Sequence, residues 1–437
     1  MQLLNKKYKV VIYLLLFFLL LRIGIVVVAG QKEKEFADAH SYNGYAHAIL
    51  NGSNWLTHPE FLGDVRPPGY PLFIALVYLI FGINNFLAVY IFQSIVSVLT
   101  CLYIYKFSKK IFYEKAALLA LIWSGFYIFY LKYVRELLRE TWIFFLFIAF
   151  LYYLYLFLTE EINKTRNVWL SSLFYFLLIH LDPRYLFYLP FLFLLFIIYQ
   201  SFWEGVRKYL TFLGLSILLL IPWTIRNYIA YDGFVLINTR TIDLRESDKQ
   251  NPVMNDRINN VLNFGIIDYA LINDNYPTEE ERELIKKGLN PNNRSQEEIR
   301  AVKNDIYPSS TFIARKWYNF IHLWTPFDFG LSYRPLPDAR FSGSWSARHN
   351  VSSIICYGFL LPFFIFAVYT LARKKNRVWY FLTFPLIIQT LLHAIQWGKT
   401  RYRIPIDAFI IILGTYGIYM MAKSILDKRK KITISND

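Results

Sequence analysis

Uninterrupted apolar runs, rather than alternating or amphipathic patterns, carry most of this chain. They occupy residues 8–29, 70–82, 85–106, 115–132, 140–158, 167–181, 185–200, 209–225, 351–372, 377–396 and 403–422. A helix rises about 1.5 Å per residue and the hydrocarbon core of a bilayer is about 30 Å thick, so these runs predict membrane-spanning helices. The expected fold class is an all-α polytopic membrane protein. The run 70–82 reaches only about 20 Å as a helix and is expected in the interface or against a protein-lined cavity. The pair 167–181 and 185–200 is individually short, and reads as two spans or as one re-entrant hairpin with the same parity downstream.

Basic residues supply an independent test. If 70–82 does not cross, Lys6, Lys7 and Lys9 fall on the same side as Lys106, Lys109 and Lys110, Lys164 and Arg166, and Arg207 and Lys208. Arg373, Lys374, Lys375, Arg377 and the tail from Lys428 to Lys431 join them. By the positive-inside rule that side is cytoplasmic, giving about ten spans of the cytoplasmic membrane with both termini inside. The first run is longer than a signal-peptide core and lacks a small-x-small cleavage site, so it reads as an uncleaved span.

The outer face then receives segments 30–69, 133–139, 182–184, 226–350 and 397–402. The chain divides into an N-terminal transmembrane module, 1–225, containing the outer loop 30–69 and the juxtamembrane helix 70–82. An extracytoplasmic insertion, 226–350, and C-terminal helices with a basic tail, 351–437, complete it. Within the insertion, Thr278 with Glu281 and Ser295 with Glu298 are capping-box helix starts. Residues 310–325, with Ile313, Trp317, Phe320 and Trp324 between Pro308 and Pro326, read as an amphipathic segment returning to the surface.

Composition agrees with a lipid-buried chain. Of 437 residues, 56% are hydrophobic and only 18% are charged, against roughly a quarter charged in soluble domains. The net charge of +16 raises the question of nucleic acid, but the basic residues flank apolar runs and serve to orient them. Cys101 and Cys356 both lie inside apolar runs and suggest neither a disulfide nor a metal site.

The unusual polar clusters all fall on the outer face. The first loop carries Asp38, His40, Tyr42 and Tyr45 and ends Arg66-Pro67-Pro68-Gly69-Tyr70-Pro71. The second carries Arg135, Glu136, Arg139 and Glu140, and a third reads Asp182-Pro183-Arg184-Tyr185. Pro222-Trp223-Thr224-Ile225-Arg226-Asn227 and Arg401-Tyr402-Arg403-Ile404-Pro405 follow. Any one of these arginines reads equally well as a snorkelling side chain, and the tyrosines as an interfacial belt. Five loops gathering acids and arginines on one face instead match chemistry on an anionic lipid headgroup, with guanidinium groups for a phosphate and a carboxylate near the reacting carbon.

The order Asp38-x-x-x-Tyr42-x-x-x-Ala46, Arg66-Pro-Pro-Gly-Tyr-Pro, Pro222-Trp-x-x-Arg-Asn and Arg401-Tyr-Arg-Ile-Pro resembles the GT-C membrane glycosyltransferases, over nearly the whole chain. The nearest branch is bacterial, similar to dolichyl-phosphate-mannose–protein mannosyltransferases and to the aminoarabinose transferases of lipid A. The resemblance implies a polyprenyl-phosphate sugar donor and an extracytoplasmic acceptor in the cell envelope. It points to Asp38 as a catalytic acid and matches Glu140 as a second one. Arg66 matches the basic residue expected near the lipid phosphate. Relatives often have Arg-Pro where this chain has Asp182-Pro183-Arg184, a departure at Arg184.

On this reading Asp38 is the general base of an inverting transfer, and Arg66, Arg226 and one of Arg401 or Arg403 stabilise the departing phosphate. Tyr42 and Arg184 complete the candidate donor-binding set, with loop packing as the plainer role for Tyr42. No metal ligand is assigned: His40 and His47 near Asp38 do not have the spacing of a closed site, so a divalent cation has no support in the sequence. Two other classes compete. A flippase or transporter of lipid-linked sugars predicts charges at span centres, and a polysaccharide polymerase or ligase would move whole glycans.

Overall fold

The computed structural model describes residues 2–29, 37–52, 67–231, 234, 236–237, 317, 320–321, 323–326, 351–395 and 400–436. Among the described residues all regular structure is helical. The helices are α1 (Gln2–Ala29), α2 (Ala37–Leu50), α3 (Gly69–Phe81), α4 (Phe86–Ile111), α5 (Glu114–Gly125), α6 (Ile128–Tyr133) and α7 (Glu140–Thr159). They continue with α8 (Lys164–Leu181), α9 (Tyr188–Tyr199), α10 (Phe202–Tyr231), α11 (Leu360–Arg373), α12 (Arg377–Ile395) and α13 (Thr400–Asn436). The insertion's two capping-box starts and most of 310–325 lie outside the described residues.

Seven of these helical stretches are long and apolar enough to cross a membrane: Tyr8–Val28, Phe86–Ile111, Glu140–Thr159, Phe202–Ile229, Val351–Arg373, Arg377–Ile395 and Thr400–Asp427. The chain is a polytopic all-α membrane protein. The expected count of about ten exceeds these seven, because three runs have a different local form. The run 115–132 is broken between Gly125 and Ile128, where Tyr127 adopts an extended backbone. The freed Gly125 carbonyl accepts from Arg22 Nη1 at 3.2 Å. The runs 167–181 and 185–200 form α8 and the shorter α9, joined by a 3₁₀ turn over Pro183–Phe187.

Burial sorts the helices into a centre and a rim. Helix α7 is apolar on all sides and 83% buried along its span, as expected of a helix surrounded by others, whereas α1 and α10 are only 22% buried and face lipid. Helices α4, α8 and α13 pack around α7. Helices α11 and α13 cross closely at Gly414 and Gly417, where a Cβ on Gly417 would stand 2.2 Å from the Phe363 carbonyl oxygen.

The two ends of α7 differ in chemistry. Beyond Thr159, Glu160 pairs with Lys110, and Lys109 pairs with Glu114 at 2.7 Å. The other end begins at Glu140, about 30 Å away along the helix. Arg22, inside the first apolar run, is an exception to the gathering of ionisable groups at the outer loops. It is fully buried and donates to Ser97 Oγ at 2.9 Å and to the Phe18 carbonyl at 3.1 Å.

The short helix α3 opens after Pro67-Pro68 and stops at Gly82, whose φ of 97° suits glycine. Its first residue explains the glycine in Pro-Pro-Gly. A Cβ on Gly69 would stand 2.9 Å from the His180 carbonyl oxygen, so only glycine lets α3 meet the end of α8 this closely.

Candidate active site

Three helices bring charged first turns together. Asp38 lies in the first turn of α2 and Glu140 in the first turn of α7, where the helix macrodipole favours a negative charge. Arg401, at the start of α13, spans the two. Its Nη1 donates to Asp38 Oδ2 at 3.0 Å, and its Nε donates to Glu140 Oε1. The partners stand 363 and 261 residues from it in sequence. Glu140 is almost fully buried, and its second oxygen, Oε2, has no hydrogen-bond partner among the described residues.

A third carboxylate, Asp182, lines the same cleft as Glu140. Asp182 accepts from Arg139 Nη2 at 3.1 Å and from Arg184 Nε at 2.8 Å, and its Oδ1 also caps the 3₁₀ turn through the Arg184 amide at 3.2 Å. Burial pushes the Asp182 carboxyl up, but the flanking Arg139 and Arg184 guanidinium groups outweigh it and hold the group well below the ordinary carboxylate value. Arg184 also stacks over the Tyr402 ring, 4.5 Å from its centroid. His393 lies parallel to the same ring, with centroids 4.7 Å apart. Glu140, Arg184, Arg401, Tyr402 and His393 line a cleft with about 320 Å³ of atom-free space.

Of the first-loop motif residues, Asp38 joins this cluster, whereas Tyr42 and Tyr70 do not line the cleft. Tyr70 donates to Gln93 Oε1 at 2.7 Å, and Gln93 Nε2 donates to the carbonyls of Val134 at 3.0 Å and Glu136 at 2.9 Å. This relay fixes the backbone that delivers Arg139 and Glu140. Tyr42 is buried and meets Tyr70 edge-on at 5.0 Å.

Of the residues singled out in the sequence, Asp38, Glu140, Arg184 and Arg401 are therefore brought together. Arg66 and the neighbouring Asp64 lie outside the described residues. Arg226 packs over Trp223, 5.2 Å from the ring centroid, and reaches Asn227 Oδ1 at 3.3 Å; it is not among the residues lining the cleft. Arg403 does not reach the cleft either. It is fully enclosed and paired with Asp407 at 2.9 Å, because successive odd positions of a helix face opposite ways.

Asp182, Arg139, Tyr402 and His393 were not selected from the sequence. The first three stand inside the outer clusters already noted, so the signal was present. His393 lies in the apolar run 377–396 with nothing around it to mark it. Among the described residues no three His, Cys, Asp or Glu side chains group as metal ligands.

Comparison with known proteins agrees with this architecture. The profile of the dolichyl-phosphate-mannose-protein mannosyltransferase family matches residues 65–225, the stretch from the Pro-Pro motif through α10's membrane span. No curated protein matches significantly. Among solved structures, the chain is similar to the Archaeoglobus fulgidus oligosaccharyltransferase in its apo form, with 14% identity, a TM-score of 0.56, and coverage of 97% of this chain and 52% of that one. It is also similar to that organism's AglB in complex with an inhibitory peptide and a dolichol-phosphate, with 12% identity, a TM-score of 0.57, and coverage of 98% and 52%. A third structure, tethered to an acceptor peptide containing the NVT sequon, gives 12% identity, a TM-score of 0.56, and coverage of 95% and 50%. The chain spans about half the length of these solved chains. Family profile and solved folds are both of the GT-C superfamily, the resemblance carried by the sequence motifs.

Proposed function

We propose that the chain is an inverting GT-C glycosyltransferase, moving a sugar from a polyprenyl-phosphate donor to an acceptor on the outer face of the cytoplasmic membrane. The observation that carries this reading is the contact of Arg401 with Asp38 and Glu140, three residues from distant parts of the sequence meeting at one end of the bundle. Transfer to a phosphate leaving group needs a fixed cation where negative charge develops and a base for the incoming hydroxyl.

In the proposed reaction, the donor phosphate competes with Asp38 for the Arg401 guanidinium and frees the carboxylate. Asp38 then takes the proton of the acceptor hydroxyl as its oxygen bonds to the anomeric carbon from the face opposite the phosphate. The bond from that carbon to the phosphate oxygen breaks, and polyprenyl phosphate departs as an anion. Arg401 receives that charge, with Arg184 in the same cleft lining and Arg66, from its place before the Pro-Pro motif, as further cations. Glu140 keeps Arg401 in place and offers its second oxygen, Oε2, to a sugar hydroxyl.

The reading puts the 226–350 insertion on the outer side and the basic tail in the cytoplasm, following the charge pattern. The test is an in vitro transfer assay with a panel of polyprenyl-phosphate monosaccharides, comparing wild type with Asp38→Asn. Transfer from at least one donor, reduced by roughly 10²–10³ in the variant, is expected. Full activity of Asp38→Asn would remove the proposed base.

A further inference from the structure

Arg401 is one of two arginines in the first turn of α13, and the second has its own set of partners. Arg403 Nε donates to Asp407 Oδ1, one turn further on, at 2.9 Å. Asp407 Oδ2 accepts from the Tyr127 hydroxyl at 2.6 Å, and Tyr127 stands in the break between α5 and α6. Arg403 Nη1 donates to the carbonyls of Leu323 at 3.2 Å and Thr325 at 2.9 Å. Its guanidinium lies 3.5 Å over the Tyr357 ring, whose hydroxyl donates to the intervening Trp324 carbonyl at 3.0 Å. Arg403 and Asp407 are both fully buried.

A buried ion pair is a poor source of net stability, since desolvation offsets much of its attraction. Geometry points to another use for this one. The first turn of α13 is weakened where it matters, because Pro405 has no N–H to donate to the Arg401 carbonyl four residues back. Residues two apart on a helix face roughly opposite sides. Whatever fixes the direction of Arg403 therefore fixes the direction of Arg401. Asp407, on α13 itself, links Arg403 to Tyr127 in the α5–α6 break, and the carbonyls of Leu323 and Thr325 hold Arg403 from a second element outside α13.

We infer that Arg403, Asp407 and Tyr127 form a positioning unit for Arg401, holding the first turn of α13 in the rotation that delivers its guanidinium to Asp38 and Glu140. None of the three lines the cleft. The inference rests on the proposed function only in what Arg401 is for; where Arg401 points is measurable without any substrate.

The test is the reactivity of individual arginines toward phenylglyoxal in the full-length protein in nanodiscs, mapped by peptide mass spectrometry. Tyr127→Phe removes one hydrogen bond to a carboxylate and is the mildest variant; Asp407→Asn is the stronger one. Modification of Arg401 is expected to rise about tenfold in Tyr127→Phe, the effect of losing one charge-assisted hydrogen bond, while Arg184 keeps its wild-type rate. An unchanged Arg401 rate in folded Tyr127→Phe would overturn the inference. A parallel rise at Arg184 would also overturn it, as a general loosening of the bundle. If Asp407→Asn fails to fold, Tyr127→Phe alone decides. With an active donor in hand, Tyr127→Phe should lower kcat with little change in KM, and have no further effect in an Arg401→Gln background. Equal losses in both backgrounds would contradict positioning through Arg401. The reactivity arm needs no sugar donor, so it remains readable if glycosyl transfer is never observed.

Discussion

Replacing Arg401 by glutamine separates catalysis from stability more cleanly than any other single change. The arginine holds two carboxylates, one a quarter exposed and the other almost fully buried, with exposures of 26% for Asp38 and 6% for Glu140. Two unit charges about 4 Å apart at an effective dielectric of about 20 attract by roughly 4 kcal/mol. Solvent screening reduces the Asp38 share, and loss of one partner of a buried pair costs about 3–5 kcal/mol because the other charge is left uncompensated. Arg401→Gln should therefore lower the thermal midpoint by several degrees. Adding Glu140→Gln removes the stranded charge and should restore most of the loss, since deleting both partners is nearly neutral. Turnover behaves differently. If Arg401 receives the charge of the departing phosphate, both the single and the double variant lose about 10²–10³ in kcat. The assay pairs thermal unfolding in nanodiscs with single-turnover transfer. Turnover that recovers along with stability in the double variant would refute the catalytic role, as would a single variant within about threefold of wild type.

Other expectations follow from neighbouring contacts. Asp182 is held below its ordinary value of 3.8 by Arg139 and Arg184, so its stabilisation is complete above that value and is lost as pH falls through the lower folded value. Asp182→Asn should cost about 3 kcal/mol at neutral pH and flatten the acid limb of thermal midpoint against pH, and an unaltered acid limb would contradict the assignment. Gly417→Ala places a methyl group against the Phe363 carbonyl, a backbone atom that cannot swing aside, and should destabilise by about 1–3 kcal/mol in detergent unfolding. Gly69→Ala presses on the His180 carbonyl beside Asp182, so donor KM should rise more than the unfolding midpoint falls; the reverse order would make Gly69 a packing residue only.

The apolar runs made the helices legible because lipid burial demands length and continuity, and every run but 115–132, which forms two, corresponds to one principal helix. What they did not show is where a helix breaks inside a continuous run. The stretch 115–132 looks uniform, and its interruption depends on Arg22, a hundred residues earlier, capping the Gly125 carbonyl. The outer clusters likewise singled out Asp38, Glu140, Arg184 and Arg401, which the structure brings together, since each lies in a polar interruption of the apolar pattern. Arg401 and Arg403 could not be told apart from their flanking residues. Only the rotation of α13, set by Asp407 and Tyr127, sends one to the cleft and the other into the core. His393 gave no signal at all, because a lone histidine in an apolar run is silent until Tyr402 is seen lying against it.

The central claim is that the charge centre of Arg401 is where the donor's phosphate binds. The most direct measurement is an electron cryo-microscopy structure of the full chain in nanodiscs with a non-hydrolysable polyprenyl-phosphate sugar. The account predicts phosphate density within hydrogen-bond reach of Arg401, about 3 Å, and an Asp38 carboxylate released from its 3.0 Å contact. Phosphate bound elsewhere, with Arg401 still joined to both Asp38 and Glu140, would contradict it.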